Sequence, residues 1–343
     1  MFMLSYEKYM AVNILEKNIK NNNVDIKENT IFNIDNSLLV LLLKDQTTKK
    51  NILWATNDYL IYGNNYSAED EITIFSITGS NGEIIKPRVN KDKTEQKRRC
   101  KDKAEIFTPA WLCNAQNNLV DEAWFNYENV FNTEIENGWI TNKVKVDFSK
   151  TDKTWQDYVK STRMEITCGE APYLTSRYDA VSGEYIIPEN RIGLLDRKLR
   201  IITENVQSET EWLEWAIIAV QNIYGYDWQG DNVLLARENI LYAVIEYYEY
   251  SYNNTLPVHI LKELAEIISW NIWQMDGLKC VVPNSCKDAE NEQISFWENI
   301  NPLKPCLGCR DNDVFKHNGI YCKIMDWKNK KQLRFVDLVH RKK

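Results

Sequence analysis

The sequence predicts an α/β fold, and three observations lead to this prediction. Residues 163–167 form a short run with apolar Met164 and Ile166 that ends at a Cys-Gly turn, and residues 223–227 and 272–275 are short runs near an acidic residue. Stretches with apolar side chains at helical spacing lie between them, so we expect parallel strands joined by helical crossovers. The 343 residues are 44% hydrophobic, which is sufficient for a substantial core.

The first 95 residues predict an α+β N-terminal domain. Residues 1–24 have apolar side chains near helical spacing, and the asparagines at 21–23 end that pattern. Turn signals such as those at residues 79–82 separate several apolar runs that we interpret as strands of a β-rich platform. The predicted strands are residues 37–43, 51–55, 58–62, 71–77 and 83–87.

The later elements are predicted from caps and periodicity. Residues 91–103 are charged and indicate a linker or a basic helix. Thr108 and Pro109 supply a cap residue and a first-turn proline for a helix that extends to residue 125. The run after Gly169 could begin a helix, and residues 177–191 are turn-rich. Short strands are predicted at 139–140 and 144–148, and helices from about 154 and at 192–202, 211–224, 231–253 and 256–270.

The charge distribution limits how the chain could bind nucleic acid. Its formal net charge is −7, so binding to a polyanion would need local basic patches. Residues 91–103, 191–200 and 328–343 are such patches, although a solvated surface explains each of them equally well.

We expect the eight cysteines to lie in a reducing compartment. No secretory hydrophobic segment is found near the N-terminus, and the apolar run at 38–43 is too short to span a bilayer, so we interpret it as a buried strand. We therefore expect a cytoplasmic protein without a membrane partner, whose cysteines are reduced thiols or metal ligands.

Four motifs occur in a fixed order along the chain. They are Ala-Glu-Ile-Phe-Thr-Pro at 104–109, Glu-Ile-Thr-Cys-Gly-Glu-Ala-Pro-Tyr-Leu at 165–174, Ile-Tyr-Gly-Tyr-Asp-Trp at 223–228 with the helix at 233–240, and Gln-Met-Asp-Gly-Leu at 274–278. This set resembles the adenine-N6 DNA methyltransferases, the modification (M) subunits of restriction–modification systems. The resemblance implies a doubly wound sheet of the class I methyltransferase type, which binds S-adenosylmethionine.

The resemblance also implies a role for each motif residue. Phe107, Thr108 and Pro109 would close the methionine end of the cofactor, and Cys168, Gly169 and Ala171 would form the turn beside it. Glu165 would orient the loop or the cofactor ammonium group. Asp227 would accept the ribose hydroxyls and Asp276 would lie at the adenine, because ionised acceptors make the stronger hydrogen bonds.

The sequence departs from this family in two places. Ala171 stands where the family has glycine, and Glu170 and Pro172 also differ from its loop. The (Asn/Asp)-Pro-Pro-(Tyr/Phe) tetrapeptide that holds the flipped base is missing, and Asn301-Pro302 is only a partial match. A partner chain would have to supply this loop, or the activity has been lost.

An insertion separates the loop from Asp227. An acid that binds the ribose usually follows a glycine loop by about 20 residues, so about 40 extra residues are present here. They include Arg191, Arg197 and Lys198, which could cover the cofactor, face DNA or only pack on the sheet.

Several cysteines and one histidine lie close together in the sequence between residues 280 and 322. Cys306 and Cys309 have the Cys-x-x-Cys spacing of half a zinc site, with Gly308 in the turn. Cys286 and either Cys322 or His317 could complete four ligands, and Cys322 is the fourth ligand that we predict. Such a site would be structural, because four protein ligands leave no open position. The alternative is a set of reduced, partly buried thiols.

The sequence therefore predicts three regions. Residues 1–95 form the α+β N-terminal domain, 96–278 the methyltransferase-like core, and 279–343 a Cys-rich C-terminal insertion. We expect a modification subunit that binds S-adenosylmethionine and DNA and needs a partner subunit for catalysis. An inactive methyltransferase-like module that binds DNA or protein is the alternative.

Overall fold

The computed structural model describes residues 24–288 and 305–339, and it has the predicted α/β class. The helix predicted at 1–24 and the partial match at 301–304 lie outside these residues. The helices are α1 Glu28–Ile34, α2 Asn36–Leu43, α3 Ile74–Ile77, α4 Lys93–Lys103, α5 Ala110–Phe125, α6 Trp155–Lys160, α7 Leu194–Asn205, α8 Glu209–Gln221, α9 Gly230–Tyr252, α10 Val258–Asn271 and α11 Leu307–Asp311. The strands are β1 Asn132–Ile135, β2 Gly138–Thr141, β3 Arg163–Ile166, β4 Ile223–Asp227, β5 Ile272–Gln274, β6 Lys323–Asp326 and β7 Lys331–Arg334.

The three predicted core strands form one parallel sheet. β3 pairs with β4, and β4 pairs with β5, so the strands lie in the order in which they occur along the chain. Antiparallel hairpins β1–β2 and β6–β7 lie outside this sheet. Within the described ranges the sheet has no reversal of strand order, the feature that defines a doubly wound sheet.

The two faces of this sheet are covered by different parts of the chain. Side chains alternate between the faces of a strand, so Ile223 and Ile272 face the large helical core while Tyr226 and Trp273 face the opposite way. Tyr226 and Trp273 pack against the Cys-rich segment, including Cys322 and Ile324. The Cys-rich segment is therefore the second layer over β4 and β5.

The β-rich interpretation of the N-terminal region is wrong. The leucine-rich run at 38–43 is helix α2, whose first turn is capped by Asp35 through a 2.8 Å hydrogen bond from Ser37 N. Thr73 and Ser76 form a capping box that starts α3 within the strand predicted at 71–77. A continuous apolar run has no periodicity that separates a strand from a buried helix, and the caps decide for the helix.

The other N-terminal strand predictions also fail. Residues 60–62 form one 3₁₀ turn, residues 83–87 form no regular element, and residues 51–55 make only isolated bridges, Lys44 to Asn51 and Leu53 to Glu71.

Two predictions further along the chain fail as well. Residues 144–148 are not a strand, and the run after Gly169 is a turn, with the next α-helix beginning at Leu194.

Helix α9 connects the parts of the fold because its charged side chains are buried. Asp231 at its start accepts hydrogen bonds from Arg99 and Tyr59, 2.8 and 2.6 Å long. Arg237 donates to four backbone carbonyl groups, those of Leu42, Lys44, Ser269 and Ile272. Glu246 forms ion pairs with Arg177 and Arg191. A buried charge without a partner is costly, so these contacts fix where each partner segment lies.

The insertion packs on the protein and does not present its basic residues to solvent. Arg191, Arg197 and Lys198 are all buried. Arg197 pairs with Asp121 at 2.6 Å, and Lys198 donates to the carbonyl oxygens of Ser161 and Asn222. The basic patch at 191–200 is therefore mostly an internal network and not a surface for DNA.

The hydrophobic core is continuous from Ile26 to Ile272 and crosses the boundary predicted at residue 95. The division of the chain into three regions stays a prediction.

No helix among the described residues is both long and apolar enough to cross a bilayer.

Candidate functional site

The carboxyl ends of β3, β4 and β5 bring most of the predicted cofactor residues to one edge of the sheet. Parallel strands end at the same edge, so the Cys168–Gly169 turn, Asp227 and Asp276 follow neighbouring strands there. Gly169 N donates to Asp227 Oδ2 at 2.9 Å, which joins the first two strand ends directly.

Asp227 is the central carboxylate of this edge. It also accepts a 3.0 Å hydrogen bond from Gln229 N. Burial raises its pKa, and the N–H groups of Gln229 and Gly169 and the Asn232 side chain act in the opposite direction. Asn232 Oδ1 beside it is buried and has no hydrogen-bond partner in the part of the chain that the structure describes. Each carboxylate oxygen has further lone pairs, so Asp227 has the capacity to accept hydrogen bonds from a ligand.

Two residues of the loop after β3 have a left-handed backbone conformation. Gly169 and Ala171 both have positive φ, +52° and +63°. Residues other than glycine rarely adopt this region, so alanine at 171 accepts a backbone strain of about 1 kcal/mol. Ala171 is fully buried in the hydrophobic core, and its methyl group therefore packs inward.

Phe107 lies against the same loop. A Cβ atom placed on Gly169 would be 3.8 Å from the Phe107 ring. The Arg88 guanidinium lies 5.0 Å from the centre of that ring, and Arg88 N donates to Glu170 Oε1 at 2.6 Å. Glu170 also accepts a 2.6 Å hydrogen bond from the Tyr178 hydroxyl. Glu170, a departure from the family pattern, is thus turned inward, where it holds the loop and Arg88.

Glu165 orients the loop from below. Its two oxygens accept hydrogen bonds from the backbone N–H groups of Tyr173 and Leu174, at 3.4 and 3.1 Å. Burial raises the pKa of Glu165 from 4.5 to about 8, against the lowering effect of these two N–H groups. The buried thiol of Cys168 also has a raised pKa, because burial and the nearby carboxylates disfavour the thiolate.

The remaining cofactor candidates lie beside this edge with contacts of their own. Thr108 and Pro109 precede α5, and Cys113 Sγ donates to the Thr108 carbonyl at 3.7 Å. Asp276 accepts from Leu278 N at 3.0 Å and pairs with the Lys279 ammonium at 3.3 Å. Asp276 is therefore partly neutralised within its own turn.

The Cys-rich segment brings four ligand atoms together. These are Sγ of Cys286, Cys306 and Cys309 and a ring nitrogen of His317, all within 4.8 Å of one another. His317 Nδ1 lies 3.6 Å from each of the three sulfur atoms. This Cys₃His group can hold a metal ion.

Cys322 is not part of this group, which corrects the predicted fourth ligand. Its thiol is buried under the sheet and donates to the Gln274 carbonyl at 3.4 Å. Residue 322 follows the turn that carries His317, and its backbone N–H pairs with the Cys280 carbonyl, so its side chain points into the core. Sequence spacing alone allowed either His317 or Cys322 as the fourth ligand.

The surroundings of the Cys₃His group are built closely around it. Asn318 N donates to Cys306 Sγ at 3.2 Å. Burial opposes the thiolate of Cys306, but the N–H groups of Asn318, Cys309 and Gly308 and the His317 ring lower its pKa to about 6. A Cβ atom on Gly308 would come within 2.6 Å of the His317 ring, so glycine is required there.

Two contributing residues were missed by sequence reasoning. Arg88 is far from every motif, and nothing in its sequence context indicates that it lies over Phe107. Asn232 follows Asp227 by five positions and could have been found by asking which polar side chain faces the strand end.

Comparison of the chain with protein-family models, curated proteins and solved structures found no match in any of the three.

The raised pKa of Glu165 predicts a pH-dependent stability. An acid that is protonated more readily in the folded chain stabilises it at low pH, and that stabilisation is lost as the pH rises from about 4.5 to about 8. We expect the free energy of unfolding of the parent, relative to Glu165→Gln, to fall by roughly 2–4 kcal/mol across this window. Urea unfolding at a series of pH values measures this difference. Exposed Glu136→Gln is the control, and a difference that does not change with pH would show that Glu165 is ionised throughout.

Proposed function

We propose that this chain binds S-adenosylmethionine at the carboxyl edge of β3, β4 and β5. We further propose that it is a modification subunit similar to the adenine-N6 DNA methyltransferases, in a restriction–modification or related defence system. The observation that carries the proposal is that Gly169, Asp227 and Phe107 lie together at this edge. These three residues belong to three of the four motifs.

The residues at this edge fit the cofactor. Asp227 would accept the two ribose hydroxyl groups, because each of its oxygens has a lone pair beyond the hydrogen bonds from Gly169 and Gln229. The turn at Gly169 has no side chain, so the methionine part can lie close to the backbone beside Phe107. Asp276 would lie at the adenine. The cofactor supplies the methyl group, and the chain's own residues bind and orient it.

We propose that a partner chain supplies the tetrapeptide that methyl transfer needs. The three strands in sequential order would be one half of a doubly wound sheet, and β3 would be the strand at which the other half joins. Within residues 24–288 and 305–339 no strand pairs with the outer edge of β3. Met164 and Ile166 there are 44% and 61% exposed. An exposed apolar edge strand is a suitable place for a partner's strand to add to the sheet.

A second candidate is an inactive methyltransferase-like module that binds DNA or protein. The contacts of the two acids favour it, since Asp227 already accepts from Gly169 and Gln229 and Asp276 pairs with Lys279. The cytoplasmic location stays a prediction.

Cofactor binding is tested by calorimetric titration of S-adenosylmethionine into the purified chain and into Asp227→Asn. We expect saturable binding by the parent and an affinity roughly 10- to 100-fold weaker in the variant, because hydrogen bonds to a charged group contribute about 1.5–3 kcal/mol each. Glu136→Gln, which removes an exposed negative charge from the turn between β1 and β2, should bind as the parent does. Equal affinities in parent and Asp227→Asn would refute the assignment of Asp227, and no binding by the parent would favour the second candidate.

We also propose that the Cys₃His group holds a structural zinc ion. Zinc–sulfur bonds of about 2.3 Å and zinc–nitrogen bonds of about 2.0–2.1 Å at tetrahedral angles place N and S about 3.6 Å apart. This is the separation of His317 Nδ1 from all three sulfurs. Such an ion would fix the loops of the Cys-rich segment over the sheet.

The ligand set is tested by zinc content and by the absorption spectrum of the cobalt-substituted protein. We expect one zinc per parent chain and intense tetrahedral cobalt bands that are lost in His317→Ala, because one of four ligands is removed. Cys322→Ala should keep both signals, because Cys322 binds a carbonyl and not the metal. The opposite pattern, with metal lost in Cys322→Ala and retained in His317→Ala, would contradict this ligand set.

A further inference from the structure

Helix α4 is unusual because it has almost no apolar side chain. Its sequence is Lys-Thr-Glu-Gln-Lys-Arg-Arg-Cys-Lys-Asp-Lys, and it begins with a cap at Asp92 that accepts from Thr94 N and Glu95 N. A helix that is polar all round is not held by an apolar stripe, so another interaction must fix it.

That interaction is the buried guanidinium of Arg99. It pairs with Glu105 at 2.7 Å and with Asp231 at 2.8 Å, and all three side chains are buried. Asp231 lies four residues after Asp227, at the start of α9. Gln96 also donates to the Arg88 carbonyl at 2.9 Å. Helix α4 is therefore fixed relative to the candidate cofactor edge.

Lys93, Lys97 and Lys101 form a row on the side of α4 that faces away from the protein. Successive members are four residues apart, which places them about 40° apart around the helix and about 6 Å apart along it. Arg99, which points into the protein, is about 200° from the middle of the row. All three lysines are exposed, and none forms an ion pair with any residue in the described ranges.

The acids of this segment lie elsewhere on the helix. Glu95 and Asp102 are about 140–160° from the middle of the row, so they do not neutralise it. The chain as a whole has a net charge of −7, so this row is a local positive surface on an acidic protein.

We infer that the row of Lys93, Lys97 and Lys101 binds the phosphate backbone of a double-stranded nucleic acid. The row is about 12 Å long, and a duplex carries about one negative charge per 1.7 Å of its axis, so all three ammonium groups can reach phosphates. A membrane surface fits less well, because α4 has no aromatic or large aliphatic side chain to insert. The inference rests on the proposed function only in taking the nucleic acid to be DNA.

The test is fluorescence anisotropy of a labelled 25-base-pair DNA duplex over a series of salt concentrations. The variant is Lys93→Gln/Lys97→Gln/Lys101→Gln, which keeps good helix formers in α4. Its matched control is Lys328→Gln/Lys330→Gln/Lys331→Gln, which removes three exposed lysines from the other basic patch. Thermal unfolding checks that both triple variants are folded.

We expect the α4 variant to bind at least 10-fold more weakly than the parent near 0.1 M salt. The slope of log K against log salt concentration is negative, and its magnitude should decrease by about 2–3, since each lost phosphate contact contributes about 0.9 to that magnitude. The control should keep the parental affinity and slope. Unchanged DNA binding by the α4 variant, or an equal loss in the control, would overturn the inference.

Two further measurements distinguish DNA binding by α4 from membrane binding and from a defect in the cofactor edge. Vesicles with one third anionic lipid should not bind the chain through these lysines, and a loss of vesicle binding with unchanged DNA binding would overturn the inference. Titration with S-adenosylmethionine should give the same affinity in the α4 variant as in the parent. A cofactor defect confined to Asp227→Asn would thus be distinguishable from a DNA defect confined to α4.

Discussion

The fold depends on the partners of the buried charged side chains of helix α9. A charge removed from water without a partner costs several kcal/mol, so Asp231, Arg237 and Glu246 each require a particular segment to lie beside them. Asp231 fixes α4 and the N-terminal tyrosine Tyr59, Arg237 fixes α2, α10 and the start of β5, and Glu246 fixes the insertion. Helix α9 thus connects the N-terminal region, the sheet and the insertion in one body.

The candidate cofactor edge inherits its geometry from this pairing. Asn239 of α9 donates to the Glu170 carbonyl, and the Glu170 side chain holds Arg88, whose guanidinium lies over Phe107. The loop that bears Gly169 is therefore held from both sides before any ligand is present. A binding site that is ordered in advance loses less conformational entropy on binding. The same pairing places the lysine row of α4 at a fixed position relative to the cofactor edge.

The parts of the fold that local chemistry determines could be predicted from the sequence. Periodicity, caps and the acids at strand ends indicate strands β3, β4 and β5 and helices α5 to α10 within a few residues of their bounds. Helix α2 was missed because an unbroken leucine run has no periodicity, and only the cap at Asp35 distinguishes it from a strand. The sequence left two alternatives for the fourth metal ligand. The choice between His317 and Cys322 depends on which of the two side chains the sheet covers, and this is decided only in the folded chain. The inward direction of Glu170 could not be predicted, since its partners Arg88 and Tyr178 become neighbours only in the folded chain.

The most direct test of cofactor binding at this edge is a crystal structure of the chain with S-adenosylhomocysteine, the demethylated form of the cofactor. We predict that its ribose hydroxyls lie within hydrogen-bond distance of Asp227, its adenine lies beside Asp276, and its homocysteine part lies between Phe107 and the Gly169 turn. A ligand bound elsewhere on the protein, or no bound ligand in crystals soaked at millimolar concentration, would contradict the proposal.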